Sequence, residues 1–196
     1  MRDLGIIRDG AILIQGDRIA AIGPRRKIEK LPRARKAEKL DLRGRVVLPG
    51  FVDSHTHLIF PASRADEYEQ RIAGKSYEQI ARNGGGIRAT VSRLRKASPE
   101  ELKTRASAHL QHFAANGTTT LEAKSGYGLD WRSEVKILNV LCELHQDQPL
   151  DIVRTFLGAH VVPPEFRRRP EAYVDLLVRK WIPWIATAGL ADFCDV

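Results

Sequence analysis

The sequence predicts an α/β fold built on parallel strands, and three observations carry that prediction. Runs rich in apolar and β-branched residues at 46–57, 118–124, 151–160 and 190–196 alternate with helical segments, giving the order β-α-β-α-β-α-β. Such alternation implies parallel strands joined by crossover helices. The first run ends in His55-Thr56-His57, and in (β/α)8 barrels the reactive residues sit at the carboxyl ends of the strands. Four strands could also form a small doubly wound sheet, but a His-x-His at a strand's carboxyl end favours the barrel. Finally, 196 residues hold one good core yet fall short of the roughly 250 of a closed barrel. The first half of a barrel is the expected architecture.

Taken in order, residues 1–48 read as β structure. Gly10 to Gly23 is two short apolar strands around a Gln15-Gly16-Asp17 turn, a hairpin signal. The stretch Val46-Val-Leu-Pro-Gly-Phe-Val-Asp-Ser-His-Thr-His57 follows. Side chains alternate along a strand, so His55 and His57 are expected on one face, with Asp53 on the same face as a second-shell or structural group. Two imidazoles there supply half of a tetrahedral metal shell. A His-x-His standing alone would more often be an exposed pair.

Beyond it, 65–73 and 76–82 look helical, and Ser76 with Gln79 can form a capping box. Asn83-Gly-Gly-Gly86 breaks the chain; its amides could cradle an anion, but no nucleotide-binding pattern surrounds it. Ser98-Pro99-Glu100-Glu101 starts a helix with Leu102, Ala106, Leu110 and Phe113 on one face, ended by Gly117. Thr118–Lys124 is a β-branched strand. Trp131 to His145 has helical spacing, with Val135, Leu138, Leu141 and Cys142 as its apolar side. Asp151–His160 reads as a strand, 169–188 as a helix closed by Gly189, and 190–196 as the start of another strand.

Composition narrows the function. Hydrophobic residues are 43% and charged residues 29%, as in an ordinary soluble globular protein. No apolar run approaches the roughly 20 residues of a membrane span, and no signal-peptide core opens the chain. Cys142 and Cys194 show neither metal-type spacing nor a disulfide framework, which suits a reducing cytoplasm. The net charge of +8 is local: Pro24 to Arg45 holds ten Lys or Arg against Glu29, Glu38 and Asp41, whereas 46–196 holds 19 basic and 18 acidic residues. No aromatic residues interleave that run to stack bases, so it reads as a solvated surface. A small molecule is the expected partner, not nucleic acid or a membrane.

Five stretches carry a narrower likeness: Asp53-Ser-His-Thr-His-Leu-Ile-Phe60, Ser63-Arg-Ala-Asp66, Gly84-Gly-Gly-Ile-Arg88, Lys124-Ser-Gly-Tyr-Gly-Leu129 and Thr155-Phe-Leu-Gly-Ala-His160. Together they resemble the imidazolonepropionase family of the amidohydrolase superfamily, over what would be the first half of a member. The resemblance implies a (β/α)8 barrel flanked by a small β-sandwich, with 1–48 contributing to the sandwich and 49–196 supplying the first four barrel strands and their helices. It implies hydrolysis of 4-imidazolone-5-propanoate to N-formimidoyl-L-glutamate in histidine degradation, with one Zn2+ or Fe ion. His55 and His57 match the family's first two metal ligands. Arg64, Tyr127 and His160 match its substrate-binding residues, Arg64 toward the propanoate. The remaining ligands, a histidine and an aspartate, and the residues that activate water belong to later strands, beyond Val196. The chain alone is therefore expected to be inactive and poorly folded as a monomer, and a homodimer is an option for the full-length form. Another cyclic-amide amidohydrolase, or a non-catalytic half-barrel, would carry much the same motifs. His109, His112 and His145 fall on predicted helices and receive no role.

Overall fold

The structure, a computed structural model, describes residues 3–196. The chain divides into two compact units, one ending at Leu48 and one running from Pro49 to Val196.

In the first unit, β1 (Gly10–Gln15) and β2 (Arg18–Pro24) pair antiparallel. The turn between them falls on Gly16, whose φ of 63° suits a residue without Cβ. β structure stops there, contrary to the expectation for the whole of 1–48. Pro24 leads into a short helix α1 (Arg25–Ile28), Pro32 opens a 3-10 turn (Pro32–Lys36), and 37–48 adopt no regular element. Prolines fix φ near −65° and donate no hydrogen bond, so they punctuate this segment into turns. The basic run is largely solvated; within it Arg25 pairs with Asp9 at 3.1 Å, and Arg33 donates to the Gln15 side chain at 2.9 Å.

The second unit is a four-stranded sheet in the order β3 (Phe51–Thr56), β4 (Thr118–Lys124), β5 (Asp151–Phe156), β6 (Phe193–Cys194), every pair parallel. Spatial order follows chain order, with helices in each connection. β3 begins only after Pro49-Gly50, and Val46 to Leu48 are exposed. β5 and β6 are likewise shorter than the apolar runs suggested.

Between β3 and β4 lie α2 (Ala65–Ile72), α3 (Tyr77–Arg82), α4 (Gly86–Lys96) and α5 (Pro99–Ala115). Capping boxes form at Ser76/Gln79 and at Ser98/Glu101. α4 was not anticipated, since three glycines mask its start. Its N-terminal amide is answered from outside the helix: Gly86 N–H donates to Glu67 Oε1 at 3.0 Å. That occupies the glycine run's own anion-binding potential. α6 (Trp131–Asp147) is capped by Asp130, whose Oδ1 accepts from Ser133 N–H at 2.8 Å. Its buried face turns toward Glu134, Ile137, Leu138, Leu141 and Leu144, away from the predicted Val135 and Cys142.

The helix expected at 169–188 forms as α7 (Pro170–Leu176), a π turn (Leu177–Trp181) and α8 (Ile182–Thr187). Pro183 explains the interruption. It lacks an N–H, its ring crowds the carbonyl four residues back, and a widened turn relieves both.

Leu121, Ala123, Ile152 and Phe156 pack one face of the sheet against Leu94, Leu102, Leu110, Ile137, Leu138, Leu141, Tyr173 and Trp181. Each such aliphatic side chain contributes about 1.5–3 kcal/mol on burial. The opposite face carries Glu122 and Lys124, in register with Val153 and Thr155. At its margins Val52 is 67% and Phe193 65% exposed.

Candidate active site

Parallel strands end on one edge, so the segments that follow β3, β4 and β5 converge there. After Thr56, His57 is fixed from behind by Leu58 and Ile59, both buried in the core. The His55 and His57 rings lie 6.0 Å apart, edge to face. His55 is exposed and His57 half-buried.

Alternation does not extend back to Asp53. Asp53 pairs with Leu121 and Thr56 with Ala123, so β3 carries an extra residue between them. Asp53 Oδ1 accepts from the His55 main-chain N–H at 3.3 Å, a local turn contact with no ring involved. The bulge interrupts strict alternation between Asp53 and the histidines.

Tyr127 follows β4 and His160 follows β5, and both meet His57. Ring centroids are 4.6 Å apart for His57–Tyr127, 5.0 Å for His57–His160 and 5.2 Å for Tyr127–His160, with Phe60 5.5 Å from Tyr127. His160 Nδ1 lies 3.0 Å from the Gly126 carbonyl. A carbonyl only accepts, so Nδ1 carries a proton, and Nε2 is the ring nitrogen turned away from Gly126.

His57 is pushed down to about 4, chiefly by burial, with His160 and His55 adding repulsion, against a hydrogen bond that the ring donates to the Lys124 main-chain carbonyl. It is a neutral imidazole at pH 7, and its buried Nδ1 has no hydrogen-bond partner among the described residues. Buried polar atoms are rarely left so. A neutral ring with a free nitrogen is the form that ligates metal, so the residue fits that role. Among the described residues, no group of three or more His, Cys, Asp or Glu is arranged to hold a metal ion.

The Tyr127 loop is built by close approach. A Cβ at Gly126 would sit 2.7 Å from the Leu157 carbonyl oxygen, and its φ of 106° excludes ordinary side chains. A Cβ at Gly128 would lie 2.7 Å from Glu134 N at the head of α6. Glu134, 0% exposed, holds the loop from beneath: its carboxylate accepts from Gly126 N–H at 3.0 Å and from Gly128 and Leu129 N–H at 2.8 Å each. Burial pushes this carboxyl up, while hydrogen bonds from Ser125 and the three amides pull the other way. Its sequence signal was a lone carboxylate one helical turn before Ile137 and Leu138.

Arg64 is placed differently from the other candidates. It forms an ion pair with Glu67, one turn along α2, its Nε donating to Oε2 at 2.9 Å. Glu67 thereby bridges Arg64 to the head of α4. The Arg64 charge still reaches Tyr127, whose phenol burial pushes up and Arg64 pulls down. Below the rings, Lys124 is 6% exposed and pairs with Glu122 at 2.7 Å and Asp195 at 2.8 Å. Thr155 Oγ1 also donates to Glu122 at 2.7 Å. This charged layer tethers β4, β5 and the segment after β6, and sequence spacing alone did not reveal it.

Two histidines and a tyrosine gather at the carboxyl edge of a parallel sheet, and the amidohydrolase family model matches residues 38–88. Along its length the chain is also similar to curated imidazolonepropionases. It is 49% identical over 196 residues to that of Solibacter usitatus, covering 100% of the chain and 47% of the relative. The figures are 44% over 198 residues for Geobacillus kaustophilus and 48% over 201 for Symbiobacterium thermophilum, again 100% of the chain and 47% of each relative. The chain spans about half the length of these curated relatives, and the half it resembles is the N-terminal one.

Proposed function

We propose that the chain is the N-terminal half of an imidazolonepropionase, a hydrolase that opens the imidazolone ring of 4-imidazolone-5-propanoate to N-formimidoyl-L-glutamate. The observation that carries this reading is the His57–Tyr127–His160 cluster at the ends of three consecutive parallel strands, with His57 Nδ1 buried and unpartnered. Sequential strand order and a sheet face left without helices support a barrel whose other strands follow in the chain. The hairpin of the first unit supports a flanking β-sandwich.

His55 and His57 would hold the metal ion, zinc or iron, with a histidine and an aspartate of later strands. When bound, it supplies Lewis acidity to the ring carbonyl and to water. This chain's residues do the rest of the recognition. His160, fixed by Gly126, offers Nε2 to a ring N–H or to a proton in transit. Tyr127, its phenol pushed up by burial, stays protonated and donates to the ring. Arg64 grips the propanoate with the guanidinium donors that Glu67 leaves free. Cys142 and Cys194 are free thiols, and no described helix is long and apolar enough to cross a membrane; we assign the activity to the cytoplasm, with a small molecule as partner and a homodimer as the assembly to look for.

The test is a completed protein, this chain joined at Val196 to the C-terminal half of the Solibacter usitatus relative. Metal-loaded, it should convert imidazolonepropanoate to N-formimidoyl-L-glutamate, followed by mass spectrometry. Turnover of other cyclic amides but not of this one would replace the substrate assignment, and no turnover of any would end the reading.

A further inference from the structure

A cavity of about 380 Å³ opens between α4 and the loop after β5. None of the residues discussed above as metal ligands or substrate contacts lines it. Arg88, Arg95, Lys96 and Arg167 surround it, and no acidic side chain does. Among the described residues Arg88, Lys96 and Arg167 form no ion pair. Arg95 pairs with Asp130 at 2.8 Å and with Glu165, yet its Nη2 stays buried without a hydrogen-bond partner. Three unpaired cations around one concavity repel each other, and its low-dielectric walls strengthen the field they project. The walls are Leu129, Val161, Val162 and Pro163, which a bare inorganic ion would leave uncovered.

We propose that this cavity binds a small organic anion, a carboxylate-bearing molecule with an apolar body about the size of one ring. The volume lies in the range of small-molecule pockets. Carboxylates would meet Arg88 and Arg167 at the mouth, where guanidinium can donate two parallel hydrogen bonds. The apolar body would lie on Leu129 and Pro163. The site also touches the Tyr127 loop, because Arg95 Nε donates to the Gly128 carbonyl at 2.8 Å.

The probe is benzene-1,3-dicarboxylate, titrated calorimetrically against the full 196-residue chain and against the completed protein, with sulfate as the bare-ion comparison. Binding should weaken at least tenfold in Arg88→Gln/Arg167→Gln, both exposed positions whose change leaves the core intact, and should not change in Arg179→Gln, which removes a guanidinium of the π turn that does not line the cavity. Amide exchange should slow in 88–96 and 161–167. Three results overturn the proposal: equal affinity in the double variant, sulfate binding as tightly as the dicarboxylate, or protection confined to 55–64 and 125–127. Absence of binding to both forms of the protein overturns it as well. Since imidazolonepropanoate turnover is assayed separately, failure here leaves the functional reading standing, and failure there leaves this one.

Discussion

Glu134 is the buried group on which the Tyr127 loop rests, and replacing it gives the sharpest account of what the loop costs to hold. Its carboxylate has one oxygen, Oε1, accepting from Gly128 and Leu129, and the other accepting from Gly126. Glu134→Gln is isosteric. With its oxygen kept at the Oε1 position, the amide group faces the Gly126 N–H, donor against donor. One buried N–H then goes unsatisfied, at about 1–3 kcal/mol. Glu134→Ala strands all three, and roughly three times that penalty rivals the ~5–15 kcal/mol of a whole domain. In urea denaturation of the completed protein, Gln should lower stability by about 1–3 kcal/mol, and the Gly126, Gly128 and Leu129 amides should exchange faster. Ala should leave the loop, or the protein, unfolded. A Glu134→Gln protein as stable as the parent, with those amides exchanging unchanged, would refute the argument.

Other perturbations follow from single contacts. Gly126→Ala should disorder the loop and abolish the Tyr127–His160 contact, because the new Cβ meets the Leu157 carbonyl at 2.7 Å; an unchanged crystal structure and melting curve would contradict this. Asp192 is bound by Arg154 through its side chain at 2.9 Å and its main-chain N–H at 2.9 Å. Burial raises this carboxyl, but Arg154 outweighs it and holds it below the ordinary 3.8. A lowered folded pKa means stability that is complete above that value and lost as pH falls through the folded one. Asp192→Asn should therefore destabilise at pH 7, with a penalty that starts to shrink below about pH 4 and goes on shrinking as the folded carboxyl is protonated, read by melting across pH; a penalty that does not shrink in acid would remove the ion pair as its cause. Arg64→Met should cost about 2–5 kcal/mol in recognition of imidazolonepropanoate and less for an analogue lacking the propanoate. Equal losses would assign Arg64 to holding Glu67 and the head of α4 alone.

Sequence carried the architecture well where the signal was local. Thr118–Lys124, the Ser76/Gln79 capping box and the Ser98 N-cap stand where β-branched content, Ser-x-x-Gln spacing and Ser-Pro-Glu-Glu put them. α4 escaped notice because its first residue is a glycine whose amide is answered by Glu67, 19 residues earlier. Periodicity over 169–188 is compatible with one helix, and Pro183 is what breaks it into two around a π turn. At the site, His57, Tyr127 and His160 come together as strand-end positions in a parallel sheet must. What alternation could not show was the extra residue in β3 that separates Asp53 from the histidines, since a bulge is set by pairing with β4. Nor could it show the Arg64–Glu67 pair or the Glu134 anchor, which depend on where loops of different strands are folded back.

The central claim is that His55 and His57 hold a metal ion at the carboxyl edge of this sheet. The direct measurement is metal per chain, by elemental analysis of the completed protein and of its His55→Ala/His57→Ala variant, both checked for a cooperative melt. The account predicts one zinc or iron ion in the parent and close to none in the variant. Full occupancy in the folded double variant would contradict it.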